Sequence, residues 1–422
     1  MTSHVVVVGC GLAGLTCAYF LRQHDLEVTV IDRQAAPARE TSYANGSMMT
    51  PSLADPWNAP GVLGALVRSL GQEDSPMLLR LKAIPSLVVW GLQFLGNATK
   101  SGFESSFLSN LRLAHYSQAV MSDLLQAVPL EFEYAPDGII KVYPDAATFN
   151  SASATAEWLG REGVEHTPLM PDALLKKEPA LAPIIDRLYG GIHFPGDEVG
   201  NARLFCEGLY ELAENAGVNF RFNESLQGVE KVKAGEVVAL TTSNGRIETD
   251  AVVLAAGSYS WPIAKMFGLR VPVRPAKGYS ITVPVGDLDP APRHAIVDDS
   301  LHAAVVPLGK DKLRVAGTAE FTGFDATLTP GRIDNLKHLL SQIYPRITIP
   351  EGEVEGWTGF RPMTPDGRPL IGRTKVPNLF LNTGHGPIGW TQACGSGKAI
   401  ADLIAGGPSD FDLSVFEPAR FS

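Results

Sequence analysis

The chain has 422 residues, enough for two or three domains, and its hydrophobic content of 45% suffices for a large core. Its net charge is −10 and no block of Lys and Arg stands out, which argues against nucleic-acid binding. The four cysteines are scattered without metal-ligand spacing, so we expect no metal site and a reducing compartment. Because only residues 1–4 precede the first predicted strand, we expect no secretory segment and a cytoplasmic location.

The first thirty residues have the pattern of a dinucleotide-binding unit. An apolar run over residues 5–8 is followed by Gly9-Cys10-Gly11-Leu12-Ala13-Gly14, an amphipathic stretch, and a second apolar run that ends before Asp32. In such a unit the first glycine allows a tight turn, the second lets backbone N–H groups approach a pyrophosphate, and the third lets the helix pack closely on the strand. An acid at position 32 would bind ribose hydroxyls, which favours FAD or NAD over NADP.

The most apolar stretch covers residues 77–96, but Arg80, Lys82, Pro85 and Gln93 interrupt it. It therefore falls short of the uninterrupted run of about twenty apolar residues that a spanning helix needs. Two interpretations are open: a buried or pocket-lining helix, and a segment that lies on a membrane surface.

The middle of the chain mixes helical and strand-like periodicity. Helices are predicted over residues 111–128, 151–163, 171–181, 203–216 and 330–343, with a break at Pro179. Strands are predicted over residues 138–143, 190–194, 219–222, 236–242, 246–248, 279–283, 303–306, 313–316 and 379–382. Asn244-Gly245 is a hairpin turn signal.

Two segments resemble ligand-binding architecture. An apolar strand over residues 251–257 ends in Ala255-Ala256-Gly257, whose small side chains would let a cofactor pass close by. Near the end of the chain a glycine-rich loop over residues 383–390 leads into a predicted helix over residues 393–405. Such loops bring the backbone close to a ligand, and helix N-termini favour negative charge.

Four further motifs accompany the dinucleotide pattern. They are ETSYANG at 40–46, KGYS at 277–280, GFRPMTPDG at 359–367, and NTGHG at 382–386 followed by GWTQACGSG at 389–397. With these motifs the chain resembles the FAD-dependent D-amino-acid oxidase superfamily along its whole length, and within it the branch of bacterial D-amino-acid dehydrogenases. A weaker likeness to relatives that act on N-substituted glycines lies in residues 313–320 and 416–421.

The resemblance implies a fold of the α/β class: a discontinuous, Rossmann-like FAD-binding domain with an inserted substrate domain of mixed sheet and helices. Residues 1–60, 195–267 and 356–422 would form the FAD-binding domain, and residues 61–194 and 268–355 an α+β cap. Some relatives tether flavin through a cysteine at a different motif from that of Cys394, so we expect non-covalent FAD. The oligomeric state is left open.

The resemblance also implies four residues near the reacting atoms. Arg361 would grip the substrate α-carboxylate, since a planar guanidinium offers two parallel donors; the alternative is a structural arginine paired with Asp366. Tyr279 would hold the carboxylate or cover the pocket, or else be a half-buried sheet tyrosine. Glu320 would receive the substrate ammonium group, or be an acid on a surface turn. His385 would pack beside the flavin, with a role as catalytic base as the alternative.

Further cofactor contacts are implied at both ends of the chain. Arg33 would lie over the adenine, Val229 would contact the adenine side through its backbone, and residues 41–47 would wrap the pyrophosphate and one edge of the ring. The loop 384–389 would point backbone N–H groups at the ring's carbonyl edge. The implied set beyond the first turn and Asp32 is Arg33, Thr41, Ser42, Asn45, Gly46, Ser47, Val229, Ala255, Ala256, Gly257, Arg361, Gly384, Gly386, Ile388, Gly389, Trp390 and Thr391.

The activity implied is oxidation of free D-amino acids by hydride transfer to flavin, followed by hydrolysis to 2-oxo acids and ammonia. Electrons would pass to a quinone or another acceptor, with the enzyme peripheral on the inner face of the cytoplasmic membrane. The first alternative is oxidation of a secondary amino acid: D-proline, hydroxy-D-proline, sarcosine or another N-substituted glycine. Further alternatives are a flavoprotein subunit for assembly or electron relay, and an NAD-dependent dehydrogenase.

Overall fold

The computed structural model describes residues 3–64, 77–232, 235–286, 288–301, 303–350, 352–407 and 409–421. In this part of the chain the helices are α1 (Leu12–Gln23), α2 (Ile84–Asn97), α3 (Lys100–Ala127), α4 (Ala146–Arg161), α5 (Pro171–Lys177), α6 (Ala202–Asn215), α7 (Ser260–Ala264), α8 (Pro330–Ile343) and α9 (Gly389–Ala405). The strands are β1 (His4–Val8), β2 (Glu27–Ile31), β3 (Met48–Met49), β4 (Met77–Leu79), β5 (Ile139–Tyr143), β6 (Thr167–Leu169), β7 (Gly190–Phe194), β8 (Glu198–Val199), β9 (Asn219–Arg221), β10 (Leu226–Lys231), β11 (Val237–Thr242), β12 (Gly245–Glu248), β13 (Ala251–Leu254), β14 (Arg274–Pro284), β15 (Ala295–Asp298), β16 (Ala303–Leu308), β17 (Lys312–Phe321), β18 (Glu355–Met363), β19 (Leu370–Arg373) and β20 (Leu379–Thr383).

One sheet, called here the parallel sheet, has the strand order β19-β20-β13-β1-β2-β9. Its strands from β20 to β9 run parallel, and β19 pairs antiparallel at the edge. The β-branched runs of β1 and β13 are buried, as expected for strands covered on both faces. Helix α1 packs against α6 and α9, and α9 packs against α3. This sheet gathers segments that are far apart in the chain.

A second sheet, called here the mixed sheet, has the order β18-β14-β17-β16-β15-β5-β7-β6, with β4 pairing β17. Most of its pairs are antiparallel, and β15–β5 and β17–β4 are parallel. Helix α8 covers β14, β16 and β17. The two sheets confirm the predicted fold class, with the mixed sheet built from segments inserted between strands of the parallel sheet.

The predicted division into domains stays a prediction, and the sheet pairing bears on one of its limits. Strand β18, which carries Arg361, is hydrogen-bonded to β14 in the mixed sheet over residues 355–363. The mixed sheet thus continues beyond the predicted limit at residue 356. Helix α3, within the predicted cap, contributes Leu113, Val120 and Leu124 to the core beneath the parallel sheet.

Most predicted elements are confirmed, with shifted ends. Helix α8 has the predicted bounds, the hairpin turn at Asn244-Gly245 joins β11 to β12, and α5 gives way to a 3-10 helix at Pro179. Helix α3 begins eleven residues before the predicted start at 111, and β14 and β17 are longer than predicted. The longer strands β14 and β17 are stabilised by pairing with each other, and β14 also pairs with β18; a local sequence pattern does not contain this information.

The apolar stretch over residues 77–96 forms β4 and α2. One face of α2 is buried, where Trp90 and Phe94 pack against Phe321 and Met363. The opposite face is exposed. Among the described residues we find no helix with the length and apolarity needed to cross a bilayer. The interpretation as a buried helix therefore holds for one face only.

Candidate active site

A cavity of about 1000 Å³ is lined by residues of both sheets. The parallel sheet contributes the turns that follow β1, β2 and β13, and the mixed sheet contributes side chains of β14, β17 and β18. The loop before α9 completes the lining. The cavity thus lies at the carboxyl ends of the parallel strands, the usual binding position in such sheets.

The first turn needs its glycines. Gly9 has φ of +110°, and a Cβ there would lie 2.7 Å from the carbonyl oxygen of Ala255. A Cβ on Gly14 would lie only 1.9 Å from the carbonyl oxygen of Gly9. Helix α1 begins at Leu12 without an acidic residue in its first turn, so its N-terminal charge is available to an anion. The turn can accept a pyrophosphate.

The acid that closes β2 lines the cavity next to this turn. The carboxylate of Asp32 accepts hydrogen bonds from the backbone N–H groups of Cys10 at 2.7 Å and Gln34 at 2.8 Å. Burial raises the pKa of Asp32, and these two bonds act in the opposite direction. The carboxylate is held in place and faces the cavity, as ribose recognition requires.

The adenosine end contains residues that the sequence analysis missed. The guanidinium carbon of Arg33 lies 3.7 Å from the ring centroid of Tyr259, and Arg33 also pairs with Glu40. Glu224 lines this end of the cavity, whereas Val229 does not. The contact predicted for Val229 stays a prediction. Tyr259 and Glu224 come from segments far from Arg33 in the chain, so no local signal could have found them.

Several buried polar atoms around the cavity have no hydrogen-bond partner among the described residues. Within the described part of the chain, Thr318 Oγ1, Asn382 Oδ1 and Trp390 Nε1 make no hydrogen bond. All three residues line the cavity. Because buried polar atoms are nearly always paired in folded proteins, these atoms indicate a polar ligand. Together with the glycine turn and Asp32, they fit a flavin dinucleotide.

Arg361 is a partly buried cation at the cavity wall. It lies on β18 opposite β14, where a Cβ on Gly278 would lie 2.7 Å from its guanidinium carbon. One guanidinium nitrogen donates to the carbonyl oxygen of Thr318 at 3.0 Å, and the ring centroid of Trp57 lies 5.5 Å away. Burial lowers the pKa of Arg361 to about 10.

No carboxylate among the described residues pairs with Arg361. The alternative pairing with Asp366 is not formed, because Asp366 is bound by Arg368 at 3.0 Å and by Arg420 at 2.8 Å. A partly buried guanidinium without a carboxylate partner is suited to an anionic ligand.

Tyr279 lines the cavity, and Glu320 stands behind it. The hydroxyl of Tyr279 donates to one carboxylate oxygen of Glu320 at 2.7 Å, and Arg80 Nε donates to the other at 2.6 Å. Burial would raise the pKa of Glu320, but these partners bring it below its usual value. Glu320 does not line the cavity and is engaged by protein donors, so its place is that of a residue that positions Tyr279.

His385 is buried in the loop before α9 and lines the cavity. Its Nε2 lies 3.2 Å from Ser396 Oγ. Burial lowers the pKa of His385 to about 4, so the ring is neutral near pH 7. A neutral ring with so low a pKa suits a packing role better than that of a base.

The structure brings most of the predicted residues to one cavity. Those that line it are Gly9, Gly11, Leu12, Ala13, Asp32, Arg33, Thr41, Ser42, Asn45, Gly46, Ala255, Ala256, Gly257, Tyr279, Arg361, His385, Gly386, Ile388, Gly389, Trp390 and Thr391. The predicted residues outside its lining are Gly14, Ser47, Val229, Glu320 and Gly384. Gly384 still supports the loop, because a Cβ there would lie 2.7 Å from Thr364 Cγ2. The individual roles stay predictions.

The chain matches a known protein family over most of its length. The family model described as FAD dependent oxidoreductase, DAO, matches residues 4–403. A protein of Paramagnetospirillum magneticum named D-amino acid dehydrogenase is 41% identical over 427 residues, covering 99% of each chain. A protein of the same name from Xanthobacter autotrophicus is 36% identical, and the match covers 99% of each chain. Another from Vibrio vulnificus is 36% identical, and the match covers 96% of each chain.

Solved structures show the same fold. L-proline dehydrogenase from P. horikoshii aligns with a TM-score of 0.77 at 18% identity, covering 100% of this chain and 98% of its own. Glycine oxidase from Geobacillus kaustophilus aligns with a TM-score of 0.77 at 21% identity, covering 99% of each chain. The predicted family, fold class and FAD cofactor are confirmed. The chain belongs to the DAO family of FAD-dependent oxidoreductases.

Proposed function

We propose that this protein oxidises free D-amino acids to imino acids, which water hydrolyses to 2-oxo acids and ammonia. The observation that carries the proposal is Arg361, a partly buried guanidinium at the cavity wall with no carboxylate partner among the described residues. Relatives 36–41% identical over nearly the whole chain bear the name D-amino acid dehydrogenase.

In this proposal Arg361 binds the α-carboxylate through two parallel N–H donors, which sets the orientation of Cα as well as its position. The absence of a side chain at Gly278 leaves room for the guanidinium. Tyr279, positioned by Glu320, covers the bound substrate. FAD, when bound, accepts the hydride that leaves Cα.

The cofactor would be held non-covalently by the first turn, Asp32 and the loop before α9. Helix α9 begins at Gly389 with no acidic residue in its first turn, so the loop and helix end present N–H groups to negative charge. His385, neutral near pH 7, packs there without removing a substrate proton. The substrate reacts as its neutral amine.

A panel of D-, L- and N-methyl amino acids, added without oxygen, tests the proposal through loss of flavin absorbance. We expect D-amino acids to reduce the flavin quickly and their L-enantiomers at least 100-fold more slowly. Fast reduction by sarcosine or D-proline with none by primary D-amino acids would contradict the proposal in favour of a secondary-amine enzyme.

We propose further that the electrons pass to a membrane quinone, with the enzyme peripheral on the membrane. The exposed face at α2 supports this: Leu81 is 78%, Val89 69% and Leu92 68% exposed. Large apolar side chains grouped in this way mark interaction surfaces. The other face of α2 packs against Met363, two residues from Arg361 on β18, so the contact surface would lie near the reaction.

Flotation with vesicles of bacterial phospholipid tests the membrane contact. We expect the wild type to float with the vesicles and the double variant Val89→Glu, Leu92→Glu to stay behind while still reducing a soluble dye. The matched control, Val232→Glu with Val415→Glu, changes two exposed valines outside α2 and should float like the wild type. Equal flotation of both double variants would contradict the contact.

A further inference from the structure

One end of the cavity is bordered by acids that the reaction does not use. Asp55, Asp298 and Asp299 line the cavity there, together with apolar Leu53, Val297 and Ala304. The apolar residues belong to one hydrophobic cluster, so these acids border a common region. The region combines apolar walls with an excess of negative charge.

Two of the three carboxylates have partners. Asp299 Oδ2 lies 2.8 Å from Lys141 Nζ, and Asp298 Oδ1 accepts hydrogen bonds from the backbone N–H groups of Ser300 at 2.9 Å and Leu301 at 3.1 Å. The carboxylate of Asp55 accepts a hydrogen bond from its own backbone N–H and forms no ion pair with a described residue. Lys141, which pairs with Asp299, also attracts this carboxylate through space.

Asp55 lines the cavity and is one of its exposed residues. Burial raises the pKa of its carboxyl group. A cation bound beside it would offset this cost of burial, because opposite charges stabilise each other more strongly away from water.

The loop that carries Asp55 is held rigidly on both sides. Asp197 accepts hydrogen bonds from the backbone N–H and hydroxyl of Ser52, and Asn110 donates to the carbonyl oxygen of Ala54 at 3.2 Å. On the other side Asn58 donates to the carbonyl oxygen of Pro365 at 3.3 Å. A fixed backbone that presents to a cavity a carboxylate with no ion-pair partner among the described residues is the arrangement of a preorganised binding group.

The same loop reaches the carboxylate anchor. The ring of Trp57 lies over Arg361, and two residues of extended chain span at most about 7 Å. Asp55 and Trp57 therefore border adjoining parts of the cavity. A substrate held by Arg361 at its α-carboxylate would direct its side chain away from the guanidinium, past apolar walls and toward the acids.

We propose that Asp55 selects D-amino acids whose side chain ends in a cation, either an ammonium or a guanidinium group on an apolar stem. The inference rests on the proposed oxidation of D-amino acids and names the substrate class of that site. Apolar walls match the stem, the carboxylate matches the charged head, and Arg361 matches the other end of the molecule.

Isosteric substrate pairs test the selection. D-Arginine and D-citrulline differ in side-chain charge at nearly equal shape, and steady-state assays with a soluble dye give kcat/KM for each. We expect the wild type to prefer D-arginine about 10- to 100-fold, the range for a charge-assisted hydrogen bond. Asp55→Asn should bring the ratio close to 1, and Asp55→Glu, which keeps the charge, should retain part of the preference.

Asp137→Asn is the matched control, since it removes one negative charge from an exposed aspartate outside the cavity lining, and it should keep the wild-type ratio. Flavin absorbance and thermal unfolding report whether each variant is folded. A wild-type ratio near 1 overturns the inference without any variant, and so does an unchanged ratio in folded Asp55→Asn. Reduction of the flavin by neither D-arginine nor any neutral D-amino acid would overturn the proposed function and this inference with it.

Discussion

Replacement of Arg361 by Leu removes the group on which the proposed function depends. Burial lowers the pKa of Arg361 from 12.5 to about 10. Because one pKa unit corresponds to about 1.36 kcal/mol, holding the charge without a partner costs about 3 kcal/mol. A substrate carboxylate that relieves this cost gains about the same amount, within the range of about 2–5 kcal/mol for truncating one partner of a buried charge pair. We therefore expect kcat/KM to fall about 100- to 200-fold.

The assay is dye reduction with the best D-amino acid of the panel, together with flavin absorbance of the purified variant. The loss should lie mainly in KM, with FAD still bound, because the dinucleotide turn is untouched. Arg361→Lys should recover part of the loss, since a point charge remains without the two parallel donors. Arg373→Leu, at an exposed arginine on β19, should leave kcat/KM unchanged. An unchanged kcat/KM in flavin-loaded Arg361→Leu would refute the assignment of the carboxylate anchor.

Three further perturbations follow from the packing and charges. Gly14→Ala should abolish FAD binding or folding, because the added Cβ would lie 1.9 Å from a backbone oxygen. The control Gly91→Ala adds a Cβ that meets no atom within 4 Å, so it should not reduce the flavin content of purified protein. Glu320→Gln breaks a buried ion pair behind the cavity wall, so it should lower the free energy of unfolding by about 3 kcal/mol in urea titrations. The same variant should raise KM more than it lowers kcat. Equal effects on KM and kcat would contradict the positioning role of Glu320. Burial lowers the pKa of His385 to about 4. Between pH 6.5 and 4 this residue therefore binds fewer protons in the folded chain than in the unfolded chain. Its contribution to stability is complete above pH 6.5 and is lost as the pH falls toward 4. Urea unfolding of His385→Gln should therefore depend less on pH in this window than the wild type does, while exposed His338→Gln should follow the wild type; identical profiles for all three proteins would contradict the shifted pKa.

Much of the fold was predictable where the local pattern is strong. The unit from β1 through β2, strand β13 and helix α8 lie where apolar periodicity and turn residues predict them. The strands that were not predicted are β3, β4, β6, β8, β10, β15, β18 and β19. They are completed by pairing with distant segments, such as β18 with β14 and β4 with β17, and a window of neighbouring residues carries no information about such pairing.

The candidate site likewise has features that the sequence predicts and features that it does not. The glycine turn and Asp32 were predictable, because their spacing is set by the geometry of one strand, one turn and one helix. The engagement of Glu320 by Arg80 and the exposure of Asp55 to the cavity were not, because each depends on which distant side chains arrive beside the carboxylate.

By itself, the sequence determined that the first turn has the pattern of a dinucleotide-binding unit and that an arginine at position 361 is a candidate for the substrate carboxylate. Only the tertiary structure decided that Arg361 has no carboxylate partner among the described residues, since Arg368 and Arg420 pair with Asp366, the alternative partner that the sequence offered. The physical reason is that a glycine acts through the conformation of its own backbone, whereas the state of a buried charge depends on every charge that the fold brings near it.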